Sequence, residues 1–117
     1  SDHIMVAAAP GLRERLQAAA VSRGRSLTMV GDARQLVMSF LEHRGEVARV
    51  LVDARLVDLS ASDALRLLRR SETSLTIGLL MDEGVAAPAE LDVDQRLSVA
   101  GLGVEALAEL LFGPAEN

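Results

Sequence analysis

The sequence predicts an α/β domain, a doubly wound sheet of five parallel strands with helices on both faces. Three observations carry that expectation. Short apolar runs alternate along the whole chain with stretches whose apolar residues recur at helical spacing. The connections are short, and right-handed helical crossovers between parallel strands are the economical way to join such a series. The third run, Val47-Ala48-Arg49-Val50-Leu51-Val52, is rich in valine, as a strand covered on both faces should be.

Residues 5–9 form an apolar run that suits a buried strand. Beyond Pro10 and Gly11, the residues Leu12, Leu16, Ala19 and Ala20 line one side of a helix, with Arg13, Glu14, Arg15 and Gln17 between them and Gly24 as its stop. Residues 26–30 give a second strand, ended by Gly31 and by Asp32, which is placed as an N-cap. The next helix covers 33–43, with Leu36, Val37, Phe40 and Leu41 on one face, and stops at Gly45. A third strand takes 47–52, a loop 53–61 and a helix 62–70, capped by Ser60 or Ser62. Residues 75–81 make the fourth strand. The stretch 82–95 is irregular, since Gly84, Pro88 and several acidic residues leave room for one turn of helix at most. Residues 96–99 form a short fifth strand, and 104–112 a closing amphipathic helix with Leu107, Leu110 and Leu111 inward. In such a sheet ligands gather at the carboxyl ends of the strands, so function is sought there.

The 117 residues suit one domain with a single core. Half are hydrophobic but only 2% are aromatic, so that core is built from Leu, Val, Ala, Ile and Met. No apolar run reaches the roughly 18 residues that a bilayer crossing needs, so no membrane partner is expected. Cysteine is absent, which removes disulfides, thiolate catalysis and cysteine-built zinc clusters, and agrees with a cytoplasmic location. The formal net charge is −5, whereas nucleic-acid binders carry a basic footprint, so no nucleic acid is expected either. All 12 basic residues are arginine, and chemistry that needs an ε-amine is closed to the chain. Ser1-Asp2-His3-Ile4-Met5 reads as a cloning remnant, which sets the domain at 6–113 with 114–117 as a tail or linker. His43 is then the one histidine expected to be native, too few for a histidine metal site or triad. Neither a metal nor a cofactor is expected.

Two stretches resemble the receiver domain of response regulators. Val6-Ala7-Ala8-Ala9-Pro10-Gly11-Leu12-Arg13-Glu14-Arg15-Leu16 is similar to that family's opening, where an acidic cluster, often followed by Pro, precedes a helix. Val50-Leu51-Val52-Asp53-Ala54-Arg55-Leu56 is similar to the third strand, whose terminal Asp is the phosphoacceptor. The spacing of the later strands fits as well. The resemblance implies a flavodoxin-like fold and a set of groups at the strand ends. Two acidic residues after the first strand and the acceptor Asp hold Mg²⁺, while a Thr or Ser after the fourth strand and a Lys after the fifth contact the phosphoryl oxygens. Transfer to a carboxylate depends on positioning and on neutralising phosphoryl charge.

This chain departs from that set position by position. The acidic pair falls on Ala7, Ala8 and Ala9, the Thr or Ser near Met81 or Asp82, and the Lys near Ala100. Only Asp53 remains, and a lone carboxylate repels an incoming phosphoryl dianion. The expectation is a degenerate pseudo-receiver with no catalytic residue, serving bacterial signal transduction by binding a protein or by dimerising. The plainer role for Asp53 is to cap the next loop or pair with Arg55. Alternatively, Asp82 and Glu83 complete an atypical acidic pocket with it, which would restore a phosphoreceiver. Receivers also use the face around their last strand for contacts, here 84–112, where the preceding helix looks shortened to 84–95. Arg66, Arg69 and Arg70, with Arg13, Arg15, Arg23 and Arg25 elsewhere, could bind an anion such as a cyclic dinucleotide, although solvated helix faces explain such charges more simply.

A second resemblance competes. Residues 52–65 also look like the centre of a STAS domain, in which a strand ending in Asp leads to a helix start bearing a phosphorylatable Ser, here Ser62. Against it, a STAS domain opens with paired strands, and Ala64 replaces that family's Gly. An enzyme is not expected, because the chain has no Gly-rich phosphate loop, no Lys or Cys, and no His with a nucleophile partner.

Overall fold

A strand whose successive side chains are all apolar must be covered on both faces, and the central strands of this sheet meet that demand. The computed structural model describes residues 3–57, 59–86 and 91–115, without the side chains of Leu59 and Ser60. Its elements are β1 (His3–Ala7), α1 (Pro10–Ser22), β2 (Thr28–Val30), α2 (Ala33–Glu42), β3 (Val47–Asp53), a 3-10 turn (Ala54–Leu56), α3 (Leu59–Ser71), β4 (Thr76–Met81), β5 (Gln95–Ser98) and α4 (Val104–Phe112). The strands form one sheet in the order β2-β1-β3-β4-β5, and every adjacent pair is parallel. This is the doubly wound five-stranded sheet that the sequence predicts.

Period-two alternation splits the strand residues between two cores. Ile4, Val6, Leu51 and Leu80 pack with Leu12, Leu16 and Ala19 of α1 and Leu107 and Leu111 of α4. On the other face, Met5, Ala7, Val50, Val52 and Ile77 pack with Leu36 and Phe40 of α2 and Leu65 and Leu68 of α3. Gly78 of β4 lies beside Leu51 of β3, and a Cβ there would come within 2.7 Å of the Leu51 Cδ2 atom. The close packing of β3 on β4 therefore depends on a missing side chain.

Several boundaries depart from the expected ones, each for a physical reason. β1 begins at His3, and Ile4 and Met5 are buried against β3, so the sheet uses part of the segment read as a cloning remnant. It ends at Ala7, leaving Ala8 and Ala9 to make the connection to α1. Asp32 caps α2 as predicted, accepting the Gln35 amide at 2.8 Å. Leu41, expected inward, is half exposed, because Ala33, Leu36 and Phe40 already form the stripe that meets the sheet and Leu41 is turned about 100° from Phe40. Leu110, also expected inward, is only partly buried. α3 starts at Leu59, so Ser60 and Ser62 lie within the helix rather than capping it.

The shortened helix expected over 84–95 falls partly on residues 87–90, outside the described residues. Among the described residues between β4 and β5, none is helical. Leu91 and Val93 pack against the α2–α3 core there. Asp94 then closes the approach to β5, accepting the Ile77 amide at 2.7 Å and the Arg69 guanidinium at 2.8 Å.

Candidate functional site

Four parallel strands that end together make one edge, and β1, β3, β4 and β5 end here at Ala7, Asp53, Met81 and Ser98. Register places Val52 beside Ala7, Asp53 beside Leu80, and Met81 beside Ser98. Ala7, Ala8, Ala9, Asp53, Met81, Asp82 and Ala100 thus share the sheet edge where function was sought. Ala7 and Ala8 are fully buried, and Ala9 is the N-cap of α1.

Asp53 is the single buried polar or charged residue among the described residues. Its Oδ2 accepts the Ala9 amide and its Oδ1 the Arg55 amide, both at 2.9 Å. The carboxylate therefore ties the end of β3 to the start of α1 and caps the 3-10 turn. The expected partnership with Arg55 runs through that residue's backbone. Its guanidinium points elsewhere, lying 3.9 Å from Asp82 Oδ2 and donating to the Glu83 carbonyl at 3.4 Å.

Asp82 is the second carboxylate of the edge, and it faces cations rather than a third acid. Arg15 approaches its Oδ2 at 3.3 Å, and the Glu83 amide donates to its Oδ1 at 2.9 Å. The other Arg15 nitrogen donates to the carbonyls of Val99 at 2.8 Å and Leu102 at 3.2 Å, on either side of Ala100. A positive charge thus reaches the end of β5 from α1, close to Ala100. In the sequence Arg15 stands among the polar residues of the first helix and in a scattered arginine set, with nothing to name its partners. Its signal was available: it lies three residues after Leu12 and four before Ala19, on the border of the buried stripe.

Mg²⁺ demands hard oxygen ligands in near-octahedral geometry. The resemblance would place it here, among three alanines, a carboxylate with an amide on each oxygen, and a carboxylate beside two guanidiniums. These residues do not fit the ion. Among the described residues, no three His, Asp or Glu side chains are grouped to hold a metal.

The arginine set is spread over the molecule, with Arg23 and Arg25 lining one open pocket beside Phe112. Arg66 pairs with Asp63 at 3.0 Å, Arg69 bonds Asp94 and the Leu75 carbonyl, and Arg25 stacks on the Phe112 ring 4.7 Å from its centroid. Ser62 is the fourth residue of α3, past the helix start where a STAS phosphoacceptor would stand, and α1 follows β1 directly.

A doubly wound parallel sheet of strand order 2-1-3-4-5 is flavodoxin-like. Within that class the chain has the fold of response-regulator receiver domains, which it resembles over nearly its whole length. It is similar to a CheY-like receiver domain protein of Methanospirillum hungatei, with a TM-score of 0.70 and 16% identity over 94% of this chain and 90% of that one. It is equally similar to a chain of the complex between the histidine kinase ThkA and the response regulator TrrA, with a TM-score of 0.71 and 15% identity over 96% and 99% of the two chains. The fold also matches part of the lysine decarboxylase LdcF of Francisella novicida, with a TM-score of 0.60, 12% identity, and cover of 93% of this chain but 16% of that one. No protein-family model and no curated protein matches the sequence. These identities speak for the fold alone.

Proposed function

We propose that this chain is a pseudo-receiver, a non-catalytic docking module of a bacterial signalling or transcription-regulating protein in the cytoplasm. One observation carries the reading: each oxygen of the buried Asp53 holds a backbone amide, beside alanines where a receiver has its acidic pair. Such a carboxylate is committed to holding the fold together. Arg15 and Arg55 neutralise Asp82, so the edge supports no substitute acidic pocket. With phosphoryl chemistry closed, what remains is contact with protein, through the 84–112 face or another. The receiver fold supports this, and the fold neighbour solved as a kinase–regulator complex is an instance of protein partnering. Incubation with acetyl phosphate and Mg²⁺ tests the proposal: the intact mass should stay unchanged, and a phosphoryl adduct on Asp53 would refute it.

A further inference from the structure

The α2–α3 layer carries three of the five large hydrophobic side chains exposed among the described residues: Met38 at 58%, Leu41 at 50% and Leu67 at 45%. The other two, Val21 and Val104, stand apart on α1 and α4 of the opposite layer. Between α2 and α3 runs an open groove of about 390 Å³, floored by Val37 and Ala64. Arg34 and Met38 line it from α2, and Asp63 and Leu67 from α3.

Both helices cross between parallel strands on the same face of the sheet, so they run in the same direction. Each rim then presents one charge followed, four residues later, by a large apolar side chain on the same helix face. The two charges are opposite. A twofold axis along the groove exchanges the rims, setting Arg34 against Asp63 of the partner subunit and Met38 against Leu67 of the partner subunit. Such a patch is complementary to itself, as an isologous interface requires. With Arg34, Asp63 and Arg66 it is also not negative, on a chain whose net charge is −5.

We propose that this layer is the interface of a homodimer in which α2 stacks in parallel on α3 of the partner subunit. The proposal does not rest on the silence of Asp53, and it leaves the 84–112 face for a different protein.

Sedimentation equilibrium of the whole chain tests it. The chain should dimerise with rising concentration, and Met38→Glu, at an exposed position, should leave a folded monomer by circular dichroism. Arg34→Asp and Asp63→Arg should each weaken the dimer about tenfold or more, and the two together should restore it. A chain that stays monomeric up to about 1 mM overturns the proposal, and so does a dimer indifferent to Met38→Glu. Failure of the charge swap to restore association overturns the parallel stacking.

Discussion

Asp53 and Ala9 are joined by a hydrogen bond of 2.9 Å, from the amide that opens α1 to the carboxylate that closes β3. With the Arg55 amide on its other oxygen, the carboxylate ties the end of β3 both to α1 and to the turn that follows. Replacing Asp53 with Ala leaves the amides of Ala9 and Arg55 without their acceptor in a part-buried place, and should lower unfolding free energy by about 1–2 kcal/mol. Asn keeps one acceptor oxygen and should lose less. Urea denaturation of the two variants checks the order.

Arg15 and Asp82 should be coupled. In a double-mutant cycle with Arg15→Ala and Asp82→Asn, the interaction energy should be about 0.5–3 kcal/mol, towards the lower part because Arg15 is partly exposed. Arg15→Lys should recover little, since an ammonium cannot span Asp82 and two carbonyls as the planar fork does.

Gly78→Ala should destabilise by about 1–3 kcal/mol, because the new methyl meets Leu51 in a packed core. Combined with Leu51→Ala, the losses should fall short of their sum, as the truncation removes the atom that clashes. Thermal melts of the three variants decide it.

Acid should weaken the closure at Asp94. The Ile77 amide first, and then the Arg69 guanidinium, hold its carboxyl below the usual carboxylate value. A group depressed in the folded state contributes stability above its unfolded pKa and loses it as pH falls through the folded one. The stability gap between the chain and its Asp94→Asn variant should therefore be widest near neutrality and close at acid pH. A gap that widens on acidification would contradict this.

The alternation of strands and helices was legible because it rests on local periodicity: the Leu12, Leu16, Ala19 stripe and the Asp32 cap fall where the pattern puts them. The alanines at 7–9 and the absence of lysine were equally plain, being matters of residue type. Arg15 was harder to read, because its partners Asp82, Val99 and Leu102 lie 67 to 87 residues away and only the sheet brings them near. The start of β1 was missed for another reason. His3 and Ile4 lie before the apolar run at 5–9, and only pairing with β3 brings them into the strand. The Asp53–Arg55 contact was anticipated in sequence but not in kind, since a guanidinium two residues away is drawn off by Asp82.

Amide NMR during titration with beryllofluoride and Mg²⁺ reads the state of Asp53 itself, because that anion mimics a phosphoryl group on a receptive aspartate. The Ala9 and Arg55 resonances, whose protons rest on the Asp53 oxygens, should stay where they are at saturating anion and metal. A magnesium-dependent shift of those two peaks would mean that the carboxylate can release its amides and take a phosphoryl group, and the pseudo-receiver reading would be wrong.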